Sequence, residues 1–66
     1  MEIENQLKKF RKKKEITQAQ LAEEVGVSRQ TINAIETGKY DPSLELALKL
    51  SSFFNAEVTE LFYLQN

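Results

Sequence analysis

The chain has 66 residues, no cysteine, no histidine and a formal net charge of −1, which favours one small domain spanning residues 1–66. Disulfides and thiolate metal sites are excluded, a zinc site or an imidazole base is not expected, and no cofactor or small-molecule ligand is evident. The near-zero charge, taken alone, argues against a nucleic-acid partner.

The basic side chains are unevenly distributed. Residues 8–14, KKFRKKK, contain six of the nine lysines and arginines, whereas residues 41–66 contain one basic and four acidic residues. One part of the molecule therefore has a local positive field; the alternative is an ordinary solvated helix face. No run approaches the roughly 20 apolar residues of a membrane span and nothing resembles a secretory signal, so we expect a cytoplasmic protein with no membrane partner.

Apolar spacing predicts helices along nearly the whole chain. The first helix is predicted over residues 4–14, because apolar residues recur at i, i+4 and i+7: Ile3, Leu7 and Phe10. Short strands at residues 1–3 and 62–64 that pair with each other are an alternative for the two ends of the chain.

Two short helices are predicted next, joined by one glycine. Thr17 and Gln20 match a capping box at the start of the second helix, and Gly26 suits the left-handed position after its end. Ser28 is the N-cap candidate of the third helix, and Gly38 ends it. The inward sides of the two helices are Leu21, Ala22 and Val25, then Ile32 and Ile35.

A fourth and a fifth helix complete the prediction. The sequence Asp-Pro-Ser at residues 41–43 is typical of a turn followed by a cap, so the fourth helix begins at about Leu44. Asn55 is expected to end it. A short fifth helix follows over residues 58–62.

The outward face of the third helix has an unusual composition. At about 100° per residue it displays four polar residues and one small one, namely Arg29, Gln30, Asn33, Thr37 and Ala34. Lysine and glutamate, the usual residues of a solvated helix, are missing from it. Arginine and amide side chains form bidentate hydrogen bonds with guanine and adenine edges in the major groove, and alanine can contact a thymine methyl. The alternative is an ordinary polar surface.

Two helices joined by a tight glycine-containing turn, with the second polar outward, make a helix-turn-helix unit. Residues 7–62 resemble the bacterial and phage repressor/Cro-type helix-turn-helix family. The matching residues are Thr17-Gln18, Leu21-Ala22, Val25-Gly26-Val27-Ser28, Arg29-Gln30-Thr31-Ile32, Ile35-Glu36, Gly38, Pro42, Leu44, Leu61 and Phe62. The resemblance implies an all-α, five-helix DNA-binding domain with a terminal two-stranded sheet as an option. It also implies a transcriptional regulator, a repressor of the bacterial, phage or archaeal cytoplasm, that binds a double-stranded DNA operator and is not an enzyme.

The resemblance assigns roles to individual residues. It assigns base contacts to Arg29, Gln30 and Asn33, and also to Ala34, whose shorter side chain extends less far into the groove. Phosphate contacts fall to Thr17, Gln18, Ser28, Thr31, Thr37, Lys39 and Tyr40; the alternative for Lys39 and Tyr40 is a surface turn. Gln18 is also expected to brace Arg29. Arg11 and Glu36 are expected to form a partly buried ion pair that locks the first helix onto the third; otherwise Arg11 is one more member of KKFRKKK.

The fourth helix has a wider apolar arc than one domain needs, since a surface helix buries an arc of little more than 100°. We assign Leu44, Ala47, Leu48 and Phe54 to the core. The remaining edge then forms an exposed patch typical of a homodimer interface, composed of Leu46, Leu50, Phe53, Phe62, Tyr63 and Leu64. The alternative is that the fifth helix and the tail cover this edge within one chain. A two-fold dimer would place two recognition helices about 34 Å apart on a near-palindromic site.

Three rival functions are weaker. An antitoxin-type protein would share the DNA-binding fold, but no extended toxin-binding segment is visible. For an enzyme the sequence offers only the adjacent acids Glu23 and Glu24, which diverge on a helix, and too short a chain for a substrate cavity of several hundred Å³. A pure dimerisation module would not explain KKFRKKK or the polar face.

Overall fold

The computed structural model describes residues 2–65. In that part of the chain two three-residue strands flank five helices: β1 Ile3–Asn5, α1 Leu7–Lys13, α2 Gln18–Val25, α3 Arg29–Glu36, α4 Leu44–Phe54, α5 Val58–Leu61 and β2 Phe62–Leu64. The predicted five-helix architecture, with its helix-turn-helix at α2 and α3, is confirmed.

Side-chain caps begin three of the helices, as the sequence predicts. The Thr17 hydroxyl accepts a hydrogen bond from the Gln20 N–H at 3.0 Å, and the Thr17 N–H donates to the Gln20 side chain at 2.8 Å, which completes the capping box. Ser28 and Ser43 each accept from the backbone N–H three residues on, at 3.1 Å. Gly26 ends α2 with a φ of +76°, a conformation that costs glycine little because it has no Cβ.

The two ends of the described chain pair as an antiparallel sheet, with Ile3 opposite Leu64. The predicted helical start at residue 4 is therefore wrong. The Asn5 side chain ends the strand by accepting from the Leu7 N–H at 3.1 Å, and it ties this corner to α3 by donating to the Ile35 carbonyl at 2.9 Å. The alternative of terminal strands is confirmed, although the first lies at residues 3–5; Met1 lies outside the described residues.

The hydrophobic core lies where α1, α2, α3, α4 and α5 meet. It consists of Leu7, Leu21, Ala22, Val25, Ile32, Ile35, Leu46, Ala47, Leu50, Phe54, Leu61 and Phe62. Ala47 and Phe54 are buried in the core, as predicted. The prediction is wrong for Leu44 and Leu48, which are 75% and 53% exposed, and for Leu50, which is fully buried. Apolar residues occupy both faces of α4, and packing against α2 and α5 selects the arc around Leu50.

None of the helices in residues 2–65 has the length and apolar character needed to cross a membrane.

Candidate nucleic-acid interface

The polar face predicted to contact bases belongs to α3 and points away from the core. Ile32 and Ile35 are fully buried on one side of this helix. Arg29, Gln30 and Asn33 are exposed on the other. Because the two isoleucines fix the rotation of α3 about its axis, the three polar side chains are presented together to solvent. Ala34 and Thr37, the other predicted members of the face, are half-buried and exposed respectively.

The predicted ion pair between α1 and α3 is present. Arg11 donates from Nε and Nη2 to the two carboxylate oxygens of Glu36, at 2.6 and 3.2 Å. A third donor, Nη1, binds the Ile16 carbonyl at 2.9 Å. The side chains are only 10% and 2% exposed. Arg11 therefore differs from the neighbouring Lys12 and the other lysines of residues 8–14, which are exposed.

Gln18 braces α3 at a different residue from the one expected. Its Nε2 donates to Asn33 Oδ1 at 3.1 Å and to Glu36 Oε1 at 3.0 Å, whereas Arg29 has no hydrogen-bond partner among residues 2–65. The predicted bracing of Arg29 is therefore wrong. Asn33 and Glu36 are three residues apart and so share the side of α3 that faces α2. The contact with Asn33 was not predicted, because its only indication in the sequence is a pair of amide side chains on neighbouring helices.

The hydroxyl groups predicted to bind phosphate differ in whether their hydrogen is still free to donate. Thr17 only accepts, from a backbone N–H, so its hydroxyl hydrogen is free to donate. Ser28 and Thr31 share one hydrogen bond of 3.0 Å, which leaves one of their two hydrogens free. Thr37 donates to the Asn33 carbonyl at 3.0 Å, so its hydrogen is already engaged within α3.

The loop after α3 brings a lysine and a tyrosine to the surface. Gly38 has a φ of +79°, and the Lys39 N–H closes the end of α3 by donating to the Ala34 carbonyl at 2.9 Å. The side chains of Lys39 and Tyr40 are exposed. Their exposure is compatible with the second phosphate clamp that is predicted from the sequence.

Half of the predicted dimer interface is not available to a partner. Leu46, Leu50 and Phe62 are buried in the core of the single chain, so their assignment to an interface is wrong. Phe53 is half-buried, with its ring 4.9 Å from that of Phe54 and the Lys14 ammonium 5.0 Å above it. The other two predicted residues, Tyr63 and Leu64, are 40% and 58% exposed.

Comparison with known proteins agrees with this geometry. A family model described as helix-turn-helix matches residues 7–61. The chain belongs to the Cro/C1-type helix-turn-helix family of DNA-binding transcriptional regulators. In a helix-turn-helix motif the second helix lies in the major groove and the first crosses the DNA backbone; α3 and α2 occupy these two positions in the chain.

Individual relatives cover most of the chain. An uncharacterized HTH-type transcriptional regulator from Methanocaldococcus jannaschii is 52% identical over 60 residues, 91% of each chain. The HTH-type transcriptional activator BcrR from Enterococcus faecalis is 41% identical over 92% of this chain, but over only 30% of its own length. The crystal structure of a putative DNA-binding protein from Bacteroides fragilis has a TM-score of 0.82 at 30% identity, covering 92% of this chain and 98% of that one.

Proposed function

We propose that the protein is a sequence-specific repressor of the cytoplasm that binds a near-palindromic DNA operator as a homodimer, with α3 in the major groove. The observation that supports this most directly is the orientation of α3. Arg29, Gln30 and Asn33 are exposed together, while Ile32 and Ile35 anchor the opposite side of the helix in the core. A major groove is wide enough to admit such a helix and its side chains.

Different residues would contact the DNA bases and the phosphates. Arg29, which has no internal partner in the described part of the chain, is free to bind a guanine edge. Lys39, Tyr40 and the free hydroxyl hydrogen of Thr17 would bind the phosphates on either side of the groove. Each neutralised phosphate releases counterions, so affinity should fall steeply with salt, by a slope of about 0.9 per phosphate.

The dimer is proposed on a revised surface. Leu44 and Leu48 lie one turn apart on α4 and are 75% and 53% exposed, and Tyr63 and Leu64 are exposed on β2. Burying these side chains against a second copy would add apolar area that a chain of this size lacks. One chain measures 32 × 22 × 21 Å, so two adjacent copies can place their recognition helices about 34 Å apart, one turn of DNA.

Repression would follow where the bound dimer covers a promoter and excludes polymerase. Activation is the second candidate, because one relative, BcrR, is named an activator. Transcription in vitro from a template that carries the selected operator distinguishes the two. Repression predicts that the transcript falls as protein is added, and activation predicts that it rises.

Selection of bound sequences from random double-stranded DNA tests the DNA-binding proposal. We expect two inverted half-sites whose centres lie about 10 base pairs apart. Lys49→Ala is a matched control, because Lys49 is an exposed cation on α4, paired with Glu45 at 3.3 Å, and it is not among the residues proposed to contact DNA. It should return the same sites as the unaltered protein. Enrichment of no sequence would refute sequence-specific binding, and a single half-site would refute the dimeric operator.

A further inference from the structure

We propose that Lys8 and Lys12, on the edge of α1 that adjoins α3, bind backbone phosphates of the operator, so that only one side of the basic segment KKFRKKK contacts DNA. The opposite side of α1, which carries Lys13, stays in solvent. The two lysines would hold the DNA without reading its base sequence. The inference rests on the proposed function, since it requires α3 to lie in the major groove.

The two sides of α1 follow from its helical period. Leu7 and Arg11 are the buried residues of this helix. Lys8 lies three residues before Arg11, and Lys12 lies four residues after Lys8, so both lysines are on the edge next to the buried side. Lys13 lies about 200° around the helix from Arg11, which places it on the opposite side of α1.

A surface hollow joins the edge that carries Lys8 and Lys12 to α3. Its lining consists of Asn5, Gln6, Lys8, Lys9, Lys12 and Glu36. Lys13 is not part of this hollow and lines a separate cleft of α1. Glu36 follows Asn33 by three residues, so the hollow adjoins the side of α3 that carries one of the proposed base contacts.

The charges of Lys8 and Lys12 are not neutralised inside the protein. Both side chains are exposed, and no ion pair within residues 2–65 involves either of them. Glu36, the acidic residue of the hollow, already accepts two hydrogen bonds from Arg11. A local positive field therefore remains at this edge of α1, although the net charge of the chain is −1.

The same edge continues the phosphate-binding surface proposed at the start of α2. Arg11 donates from Nη1 to the Ile16 carbonyl at 2.9 Å, which holds α1 against the residue that precedes Thr17. A DNA strand bound by the Thr17 hydroxyl can therefore also be reached by Lys12, and by Lys8 about 6 Å further along the helix. Lysine binds phosphate as a point charge on a flexible stem, so these contacts need no exact geometry.

The first test measures how the affinity of the full-length protein for the selected operator depends on salt. Lys8→Ala and Lys12→Ala each remove one charge from the edge next to α3. Lys13→Ala is the matched control, because it removes the same charge from the opposite side of α1. Alanine is a stronger helix former than lysine, so all three variants should fold, which thermal unfolding verifies.

Each phosphate that is no longer neutralised should lower the slope of log affinity against log salt by about 0.9. We expect this loss for Lys8→Ala and for Lys12→Ala. Lys13→Ala should keep the slope of the unaltered protein, because its charge does not contact DNA.

A second test locates the contacts on the DNA. Uncharged methylphosphonate groups replace the phosphates of the operator one at a time, and the unaltered protein should lose affinity at each phosphate that it contacts. Lys12→Ala should lose nothing further at the phosphate bound by Lys12. Lys13→Ala should lose as much at that position as the unaltered protein does.

The possible failures are distinguishable. Equal reductions of the slope for Lys12→Ala and Lys13→Ala would overturn the inference, because they would reflect the overall charge instead of a contact. An unchanged slope for either Lys8→Ala or Lys12→Ala would overturn it as well; a lower slope for Lys39→Ala on the same operator would leave the proposed function in place. Selection that enriches no sequence with the unaltered protein refutes the proposed function itself.

Discussion

Replacing Arg11 with methionine should remove much of the stability of the domain. The guanidinium supplies two of the three hydrogen bonds that Glu36 accepts, and the Glu36 side chain is 2% exposed. Methionine leaves a buried carboxylate with Gln18 as its remaining partner. Stranding a charge in this way costs roughly 3–5 kcal/mol. A domain of this length has an unfolding free energy of roughly 3–10 kcal/mol in total, so the variant should lose about a third of its stability or more.

The double variant Arg11→Met with Glu36→Leu distinguishes the stability lost by stranding a charge from the stability lost by changing the packing. Replacing both partners with apolar residues removes the uncompensated charge, so the loss should shrink to below about 1.5 kcal/mol. Urea unfolding followed by far-UV circular dichroism, at one protein concentration, measures all variants. Lys49→Met is the control, since it breaks an ion pair whose side chains are 51% and 78% exposed and worth at most about 0.5 kcal/mol. A loss of stability for Arg11→Met no larger than that for Lys49→Met would contradict a costly stranded charge, as would a double variant as unstable as the single one.

Further substitutions test the surfaces proposed to contact DNA and a second copy of the chain. Arg29→Ala should weaken binding to the selected operator roughly 5- to 150-fold and binding to random DNA much less; equal losses in a competition assay would reduce Arg29 to a phosphate contact. Lys39→Ala should lower the slope of log affinity against log salt by about one for each phosphate that is no longer neutralised, and an unchanged slope would remove Lys39 from the interface. Leu48→Asp should sediment as a folded monomer, whereas Leu50→Asp should not fold because Leu50 is fully buried; a Leu48→Asp dimer would place the interface elsewhere.

Structural features that depend on a single turn of helix could be predicted from the sequence. Thr17, Ser28 and Ser43 act as caps because each hydroxyl reaches a backbone N–H three residues away, and that depends only on local geometry. The rotation of α3 was also predictable, since Ile32 and Ile35 are its only large apolar residues. The outward position of Arg29 follows from them.

Which face of α4 is buried could not be predicted in the same way. This helix has leucines on both sides, so its wheel contains two arcs that could each be the core. Which arc is buried depends on the positions of α2 and α5, which local periodicity does not contain. The start of α1 was misplaced for a related reason: the spacing of Ile3 and Leu7 fits a helix, but Ile3 pairs with Leu64.

The small terminal sheet has a consequence for how the chain folds. Ile3 and Leu64 are partners although almost the whole sequence separates them, whereas α2 and α3 pack against each other across one short turn. Closing so long a loop costs entropy that is recovered only once the intervening helices have brought the ends together. The sheet should consequently form last and open first, so that the backbone amides of Gln6 and Gln65, which donate to Leu61 and Glu2, exchange with solvent ahead of those in the helical interior.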